Sequence, residues 1–327
     1  MSISRRKLTL ALATAGTTLL PWRSASAQAA YPSKPIRFVV GFPPGGETDL
    51  VARSVASKMQ EQLGQTIVID NVPGAGGTIG MARLSKLPAD GYVIGVGQSA
   101  NLGVGPLLYK DVGYDPVRDF TPVARLAETS FLLVVRADSP YRTLDELLAA
   151  ARAKPGSINY GSAGIGGTTH LAGELLARQS KVEMTHVPYR GTAPAMVGLL
   201  GGEVQFQFAS ASIAMPHLRA GKLRALATTG AGRSRLFPDV PTIASSIPGY
   251  QVVSWFGIVA PAGLPAPIQQ RLAAEAQRAL ASAEITERFT SLGMDNSFGG
   301  PQDLASAIAG DLALWRPVIK AAGIRVE

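Results

Sequence analysis

From Ile36 onward the chain alternates short runs of β-branched residues with stretches in which apolar side chains recur every few positions. Residues 36–40 read as a strand. Val51, Val55, Met59 and Leu63 then repeat at a spacing of four, one face of a helix, and Gly64 ends that helix. Residues 66–70 form a second expected strand, followed by a glycine loop at 74–77, a helix to about Leu87 and a strand at 92–96. The middle of the chain repeats this logic. Strands are expected near 123–127, 131–136, 158–160, 184–187 and 204–208, with helices near 144–153, 168–179, 193–200 and 212–220. After 223–229 the composition turns loop-rich (Gly230, Gly232, Pro238, Pro241, Pro248). A strand at 252–260 and two or three helices from Pro265 close the chain. Strands alternating with helices of this length predict an α/β fold with a parallel sheet and right-handed crossovers. The run 131–136 and the strands after Leu223 are the longest apolar runs outside these repeats, as expected of segments passing between two lobes. The expected organisation is therefore one domain made of 31–130 and 226–327, with a second, 131–225, inserted in it. A ligand is expected in the crevice at the carboxyl ends of the strands.

Residues 1–27 differ from everything after them: Arg5, Arg6 and Lys7, an apolar run from Leu8 to Pro21, and small residues ending Ala25-Ser26-Ala27. This is the pattern of a secretory signal cleaved after Ala27. The apolar run is shorter than the roughly 20 residues that span a bilayer. Ser4-Arg5-Arg6-Lys7-Leu8 also fits a twin-arginine signal; both export routes lead to the periplasm. Cleavage removes four basic residues and no acid, so the formal charge falls from +8 to +4. With no long basic runs, a nucleic-acid footprint is not supported. The chain has no cysteine, which excludes disulfides, thiolate zinc sites and a cysteine nucleophile.

Catalytic and cofactor motifs are few. There is no G-x-S-x-G elbow, and His170, His186 and His217 lack metal-binding spacing, so no metal is called for and each histidine reads as structural. Gly221-Lys222 is followed by leucine, which is no Walker motif. Gly95-Val96-Gly97-Gln98-Ser99-Ala100 fits a dinucleotide fingerprint, but Gly103, Gly105 and Pro106 are expected to interrupt the helix that fingerprint needs. No cofactor is expected, and an exported α/β hydrolase is disfavoured because it would lack its triad.

Three glycine turns remain: "FPPGGETD", "NVPGAGGTIG" and "NYGSAGIGGTTH". In the first and third a strand runs into the loop and a helix leaves it. There glycines let backbone approach a ligand, and the free N–H groups of the first helical turn point at it. Each turn alone is equally well read as a tight connection. The first and third together, with hydroxyls from Ser162, Thr168 and Thr169, favour an anion clamp with almost no charged side chain. Asp49 and Glu47 fall in the first helical turn, where the macrodipole stabilises carboxylates. Asp49 is expected to order the turn, while Glu47 points either to solvent or to the ligand.

These stretches, with "YDPVRDFTPVARL", "HVPYRGTAPAMVGLLGGEVQ" and "PDVPTIASSIPGYQVVSWFGIVAPAGLP", resemble the substrate-binding receptors of tripartite tricarboxylate transporters, the Bug or TctC-type proteins. The matching segments run in order from Tyr31 to Pro265. The resemblance implies a type II periplasmic-binding-protein (Venus-flytrap) architecture, two α/β lobes joined by crossing strands. It also implies a monomeric, non-enzymatic receptor that passes a small organic carboxylate to a many-span membrane permease, or presents it to a sensor. Carried over by motif, the ligand-binding residues are Phe42, Gly45, Gly46, Thr48 and Asp49 in the first loop. Ser162, Ala163, Gly164, Gly167, Thr168 and His170 follow in the second, with Ser99, Tyr189 and Ala209 beside them; Arg190 is a further candidate carboxylate partner. The chain departs from the family pattern at Glu47, where a small residue is common, at Val72, where arginine is common, and at Ala209, where aspartate is common. The last departure suggests a dicarboxylate, an aromatic acid or a neutral tail rather than a ligand bearing an ammonium group at that end.

Overall fold

The computed structural model describes residues 31–325; the expected signal at 1–27 lies outside them. The strands, in chain order, are β1 (Ile36–Val40), β2 (Ile67–Asn71), β3 (Val93–Gln98), β4 (Phe120–Arg136), β5 (Asn159–Ser162), β6 (Thr185–Pro188), β7 (Phe206–Ser210), β8 (Leu223–Thr228), β9 (Val253–Pro261) and β10 (Asp295–Gly299). The helices are α1 (Glu47–Leu63), α2 (Thr78–Leu84), α3 (Gly105–Leu108), α4 (Leu144–Ala153), α5 (Thr168–Ser180), α6 (Thr192–Gly201), α7 (Ala211–Arg219), α8 (Ile243–Ser246), α9 (Ala266–Leu280), α10 (Ala283–Ser291) and α11 (Pro301–Ala321).

The strands form one curved path, β2-β1-β3-β9-β4-β7-β5-β6, with β8 and β10 also paired to β4. Its two halves are each largely parallel. β1 pairs parallel with β2 and β3, and β5 pairs parallel with β6 and β7. Between them β9 is antiparallel to both β3 and β4, and β7 is antiparallel to β4. It follows that β4 runs the same way as β1, β2 and β3 in the first half but against β5, β6 and β7 in the second. The carboxyl ends of the two parallel sets therefore point toward each other. Gln98 is level with Phe256 and hence with Ala127, while Ser210 is level with Phe131. Four residues of β4 separate the two levels, about 13 Å at the usual strand rise.

The spacing of four read in α1 marks its buried face: Val51, Val55, Met59 and Leu63 are all buried. Further apolar clusters lie on the sheet. Val39, Met81, Leu84, Val259, Leu304 and Ile308 pack together in the first half. Leu133, Val135, Tyr160, Leu171, Phe206 and Trp315 form the largest group in the second, and Leu132, Val134, Met196 and Leu199 cover its opposite face. The helix α11 contributes to both halves, through Leu304 and Ile308 at one end and Trp315, Val318 and Ile319 at the other. Near that second end lies Pro317.

Several elements differ from expectation. The two strands read at 123–127 and 131–136 are one, because polar Glu128, Thr129 and Ser130 pair with Trp255, Ser254 and Val253 of β9. Backbone pairing carries the strand where side chains give no sign. Strand β10, "DNSFG", has little strand propensity and exists by pairing with β4. Gly103 and Gly105 do not stop a helix: a wide helical turn at Ser99–Val104 runs into α3. Gly103 is there because Asp311 packs against it, leaving only 2.6 Å to an added Cβ. Among the described residues no helix is long and apolar enough to cross a membrane.

Thr229 ties the crossing together. Its Oγ1 accepts from the Phe131 amide at 2.8 Å and donates to the Val252 carbonyl at 2.6 Å, so β4 and the segment entering β9 are fixed to one buried hydroxyl.

Two predictions follow from packing. A Cβ at Gly257 would stand 2.8 Å from both the Ala124 carbonyl oxygen and Leu304. Gly257→Ala is expected to lower unfolding stability by about 1–3 kcal/mol, measured by denaturant unfolding. Buried Asp311 accepts from Trp255 Nε1 at 2.8 Å, and burial pushes its carboxyl up to about 6, against hydrogen bonds from Ser99, Trp255 and Trp315 that favour the anion. The folded state thus holds this proton more tightly than the unfolded chain, and the stability it contributes is lost as pH rises through the folded pKa. In Asp311→Asn, which keeps an acceptor for Trp255, the stability of the variant relative to wild type is expected to rise between pH 4 and pH 7. The rise is at most about 3 kcal/mol at 1.36 kcal/mol per unit, read from unfolding curves across that range.

Candidate functional site

The turn after β1 is held by Asp49. Its Oδ2 accepts from the Gly45 amide at 2.9 Å and from Arg53 Nε at 2.8 Å, and its Oδ1 accepts from Asn71 Nδ2 at 2.9 Å. Asn71 Nδ2 also donates to the Phe42 carbonyl at 3.0 Å, so the end of β2 clasps both sides of the turn. Burial alone would raise the Asp49 pKa. The hydrogen bonds from Arg53, Gly45 and Asn71 and the Arg53 charge outweigh it, and the carboxyl lies below its ordinary value. Asp49 is therefore an anion spent on architecture.

The turn can be this tight because Gly45 takes a positive φ of 83°, the left-handed region. Buried Thr48 donates from Oγ1 to Gln98 Oε1 at 3.3 Å, tying α1 to the end of β3. Gln98 in turn donates its amide to Asn101 Oδ1 at 2.9 Å. Phe42 lies against Gly77 of the second glycine loop, and Gly41 and Gly77 pack backbone to backbone. Ser99 Oγ receives the Trp255 amide at 3.2 Å, so its hydroxyl serves the β3–β9 junction.

The loop after β5 is likewise closed on itself. Ala163 donates its amide to Thr169 Oγ1 at 3.0 Å, Gly164 donates to Ser162 Oγ at 3.1 Å, and Gly166 donates to His170 Nδ1 at 3.0 Å. Ser162 Oγ is also hydrogen-bonded to His186 Nε2 at 2.6 Å. The rings of His170 and His186 stack with centroids 3.6 Å apart, 9° from parallel. Burial and the neighbouring His170 hold His186 down to about 4, despite the Glu174 charge. It is neutral near pH 7 and free to hydrogen-bond Ser162. Tyr160 donates to Glu174 Oε1 at 2.6 Å beneath the pair.

Both loops end in a glycine, Gly46 and Gly167, that offers no side-chain cap to the helix it opens. The first intrahelical bonds run from Leu50 to Gly46 and from Leu171 to Gly167. Among the described residues, the amides of Glu47, Thr48 and Asp49 and of Thr168, Thr169 and His170 have no protein acceptor. These are the orphan donors of two helix starts, at the carboxyl ends of β1 and β5. The loop after β5 touches α3, since the space beside Gly166 is filled by Leu108.

The structure thus brings Phe42, Gly45, Gly46, Thr48, Asp49 and Ser99 to one wall, and Ser162, Ala163, Gly164, Gly167, Thr168 and His170 to the other. Tyr189 adjoins the second wall through its backbone, its amide donating to the Ser162 carbonyl at 3.1 Å, and Ala209 lies elsewhere. Ala209 is fully buried with Leu132, Met196 and Leu199, which removes the ground for reading ligand charge from it. Tyr189 folds over Gly161 and Gly198, its hydroxyl donating to Glu203 at 2.8 Å, and burial followed by that bond pushes it up to about 12. Exposed Arg190 follows it in the loop between β6 and α6. Gln98, Asn71 and His186 were missed as supports of the site; the polar endings of β2 and β3, against otherwise apolar runs, were the available signal. Among the described residues no group of three His, Asp or Glu could hold a metal ion.

Comparison with known proteins identifies the family and the fold. Residues 51–324 match the family model of the tripartite tricarboxylate transporter family receptor, TctC. The protein BugT of Bordetella pertussis is 34% identical over 299 residues, covering 91% of this chain and 92% of that one. Among solved structures, Rpa4515 of R. palustris with adipate has a TM-score of 0.75 at 37% identity, over 90% of this chain and 99% of its own. MatC of Rhodopseudomonas palustris with bound malate has a TM-score of 0.70 at 35% identity, over 88% and 100%. The fold is that of the periplasmic binding proteins, and the chain belongs to the tripartite tricarboxylate transporter receptor family of solute-binding proteins.

Proposed function

We propose that this chain is a periplasmic, non-enzymatic receptor that captures a small organic carboxylate between two lobes and delivers it to a many-span membrane permease. The observation that carries this reading is the pair of glycine-capped helix starts at facing carboxyl ends. Among the described residues six amides there lack a protein acceptor, and neither helix start carries a lysine or arginine in its first turn. Backbone donors and the helix dipoles suit a carboxylate, whose single charge and planar oxygens such groups satisfy. A polyphosphate would call for cations. The relatives solved with adipate and malate support the same ligand class.

In this reading the lobes are 31–130 with 226–327, and 131–225, moving about the crossing at Ser130, Thr229 and Val253. Residues 1–27 direct export and are removed after Ala27, and the receptor works as a monomer. The ligand-facing groups are Gly46 to Asp49 on one side and Gly167 to His170 on the other, with Phe42 and Ser99 lining the first wall. Ligand shifts the open–closed balance only by its difference in affinity for the two forms.

A thermal-shift screen of the mature chain against di- and tricarboxylates, aromatic acids, amino acids and sugars tests the reading. Carboxylates at a hundred times their Kd are expected to stabilise the fold by about 2.7 kcal/mol, and sugars not at all; stabilisation by sugars or cations alone would overturn it. Asp49→Asn keeps an acceptor but loses the charge that binds Arg53. It is expected to weaken the best carboxylate by about tenfold or more in calorimetry and to lower the melting temperature above pH 5. The stability Asp49 contributes is present above its unfolded pKa and lost as pH falls through its depressed folded one, so the two proteins should converge in acid.

A further inference from the structure

Glu47 is the one carboxylate of the first loop that the architecture does not use. It opens α1, and because Cα–Cβ bonds in a helix lean toward the N-terminus, its side chain leans past the helix end. The next two positions turn into the protein, Thr48 onto Gln98 at the end of β3 and Asp49 onto Asn71 at the end of β2. The direction left to Glu47 is the crevice. Its surroundings agree: the residue is exposed to solvent, yet desolvation by surrounding protein raises its carboxyl pKa.

Nothing neutralises it. Among the described residues no ion pair or hydrogen bond reaches the Glu47 carboxyl. Arg53 is engaged by Asp49 and Asn71. Arg190, at the carboxyl end of β6, makes no ion pair with it. The amides of the same helical turn attract a carboxylate, so the crevice carries a donor cluster with a lone negative group beside it.

We propose that Glu47 sets the charge preference of the crevice, favouring a ligand that presents, beyond its carboxylate, an ammonium or other hydrogen-bond donor, and disfavouring a second carboxylate. The inference rests on the carboxylate reading above and sharpens it. A carboxylate within several ångströms of a second anion, inside a partly desolvated crevice, is opposed by enough to change affinity about tenfold. A donor in the same place is favoured by a similar factor.

Three probes of matched length isolate this effect: 6-aminohexanoate, hexanoate and adipate share one carboxylate and differ at the far end. Calorimetry on the mature chain is expected to rank them in that order, with about a hundredfold between the first and the last. In Glu47→Gln the span is expected to collapse to within a few-fold, by loss of 6-aminohexanoate affinity and gain of adipate affinity. Hexanoate, uncharged at its far end, should change affinity by less than either of the other two, which separates the far-end effect from any effect on the shared carboxylate. Adipate binding wild type as tightly as 6-aminohexanoate, or a span unchanged in Glu47→Gln, would overturn the inference and leave the carboxylate reading standing. If none of the three bound while a sugar did, the carboxylate reading itself would fall and the inference with it.

Discussion

The geometry of this receptor follows from the strand direction of β4. It is the one strand shared by both halves of the sheet, and it meets antiparallel neighbours in each: β9 in the first half and β7 in the second. Had β7 run parallel to it, the carboxyl ends of β5, β6 and β7 would face away from those of β1, β2 and β3, and no crevice would form between helix starts. Antiparallel pairing on both sides turns two ordinary parallel sets into opposed walls. Everything placed at a strand's carboxyl end, by the common logic of α/β proteins, is then aimed at the same space.

The walls are built by a division of labour among polar groups. Asp49, Asn71, Thr48 and Gln98 spend their hydrogen bonds on the loop after β1, and Ser162, Thr169, His170 and His186 spend theirs on the loop after β5. Internal satisfaction leaves the first-turn amides as the free donors. It also explains why hydroxyls that sequence suggests as ligand donors, such as those of Ser162 and Ser99, are occupied. Their contribution is to fix the backbone of the two loops.

Much of this was legible in the sequence where one physical signal dominates. The spacing of Val51, Val55, Met59 and Leu63 found α1, and the glycine turns after apolar runs found both loops. What escaped depends on partners distant in the chain. The unbroken run of β4 through Glu128, Thr129 and Ser130 is imposed by β9, more than a hundred residues later, and β10 owes its existence to the same strand. Ala209 was misplaced because motif position says that a residue lies near a crevice, not which way its side chain turns. In a strand that direction reverses at every residue, so Phe208 joins one cluster and Ala209 the other. The roles of Asn71 and Gln98 needed three-dimensional neighbours to be seen at all.

The reach of α11 bears on how such a molecule stores energy. Its first turns are keyed into the first half by Leu304 and Ile308, and its later turns into the second by Trp315 and Val318. Rotation of one half against the other therefore works against a helix anchored at both ends. Pro317, which cannot donate to the carbonyl one turn back, lies within the second of these anchors, between Trp315 and Val318. The connection behaves as a stiff spring instead of a free joint. Any relative motion of the two halves has to strain this one helix, which both of them hold.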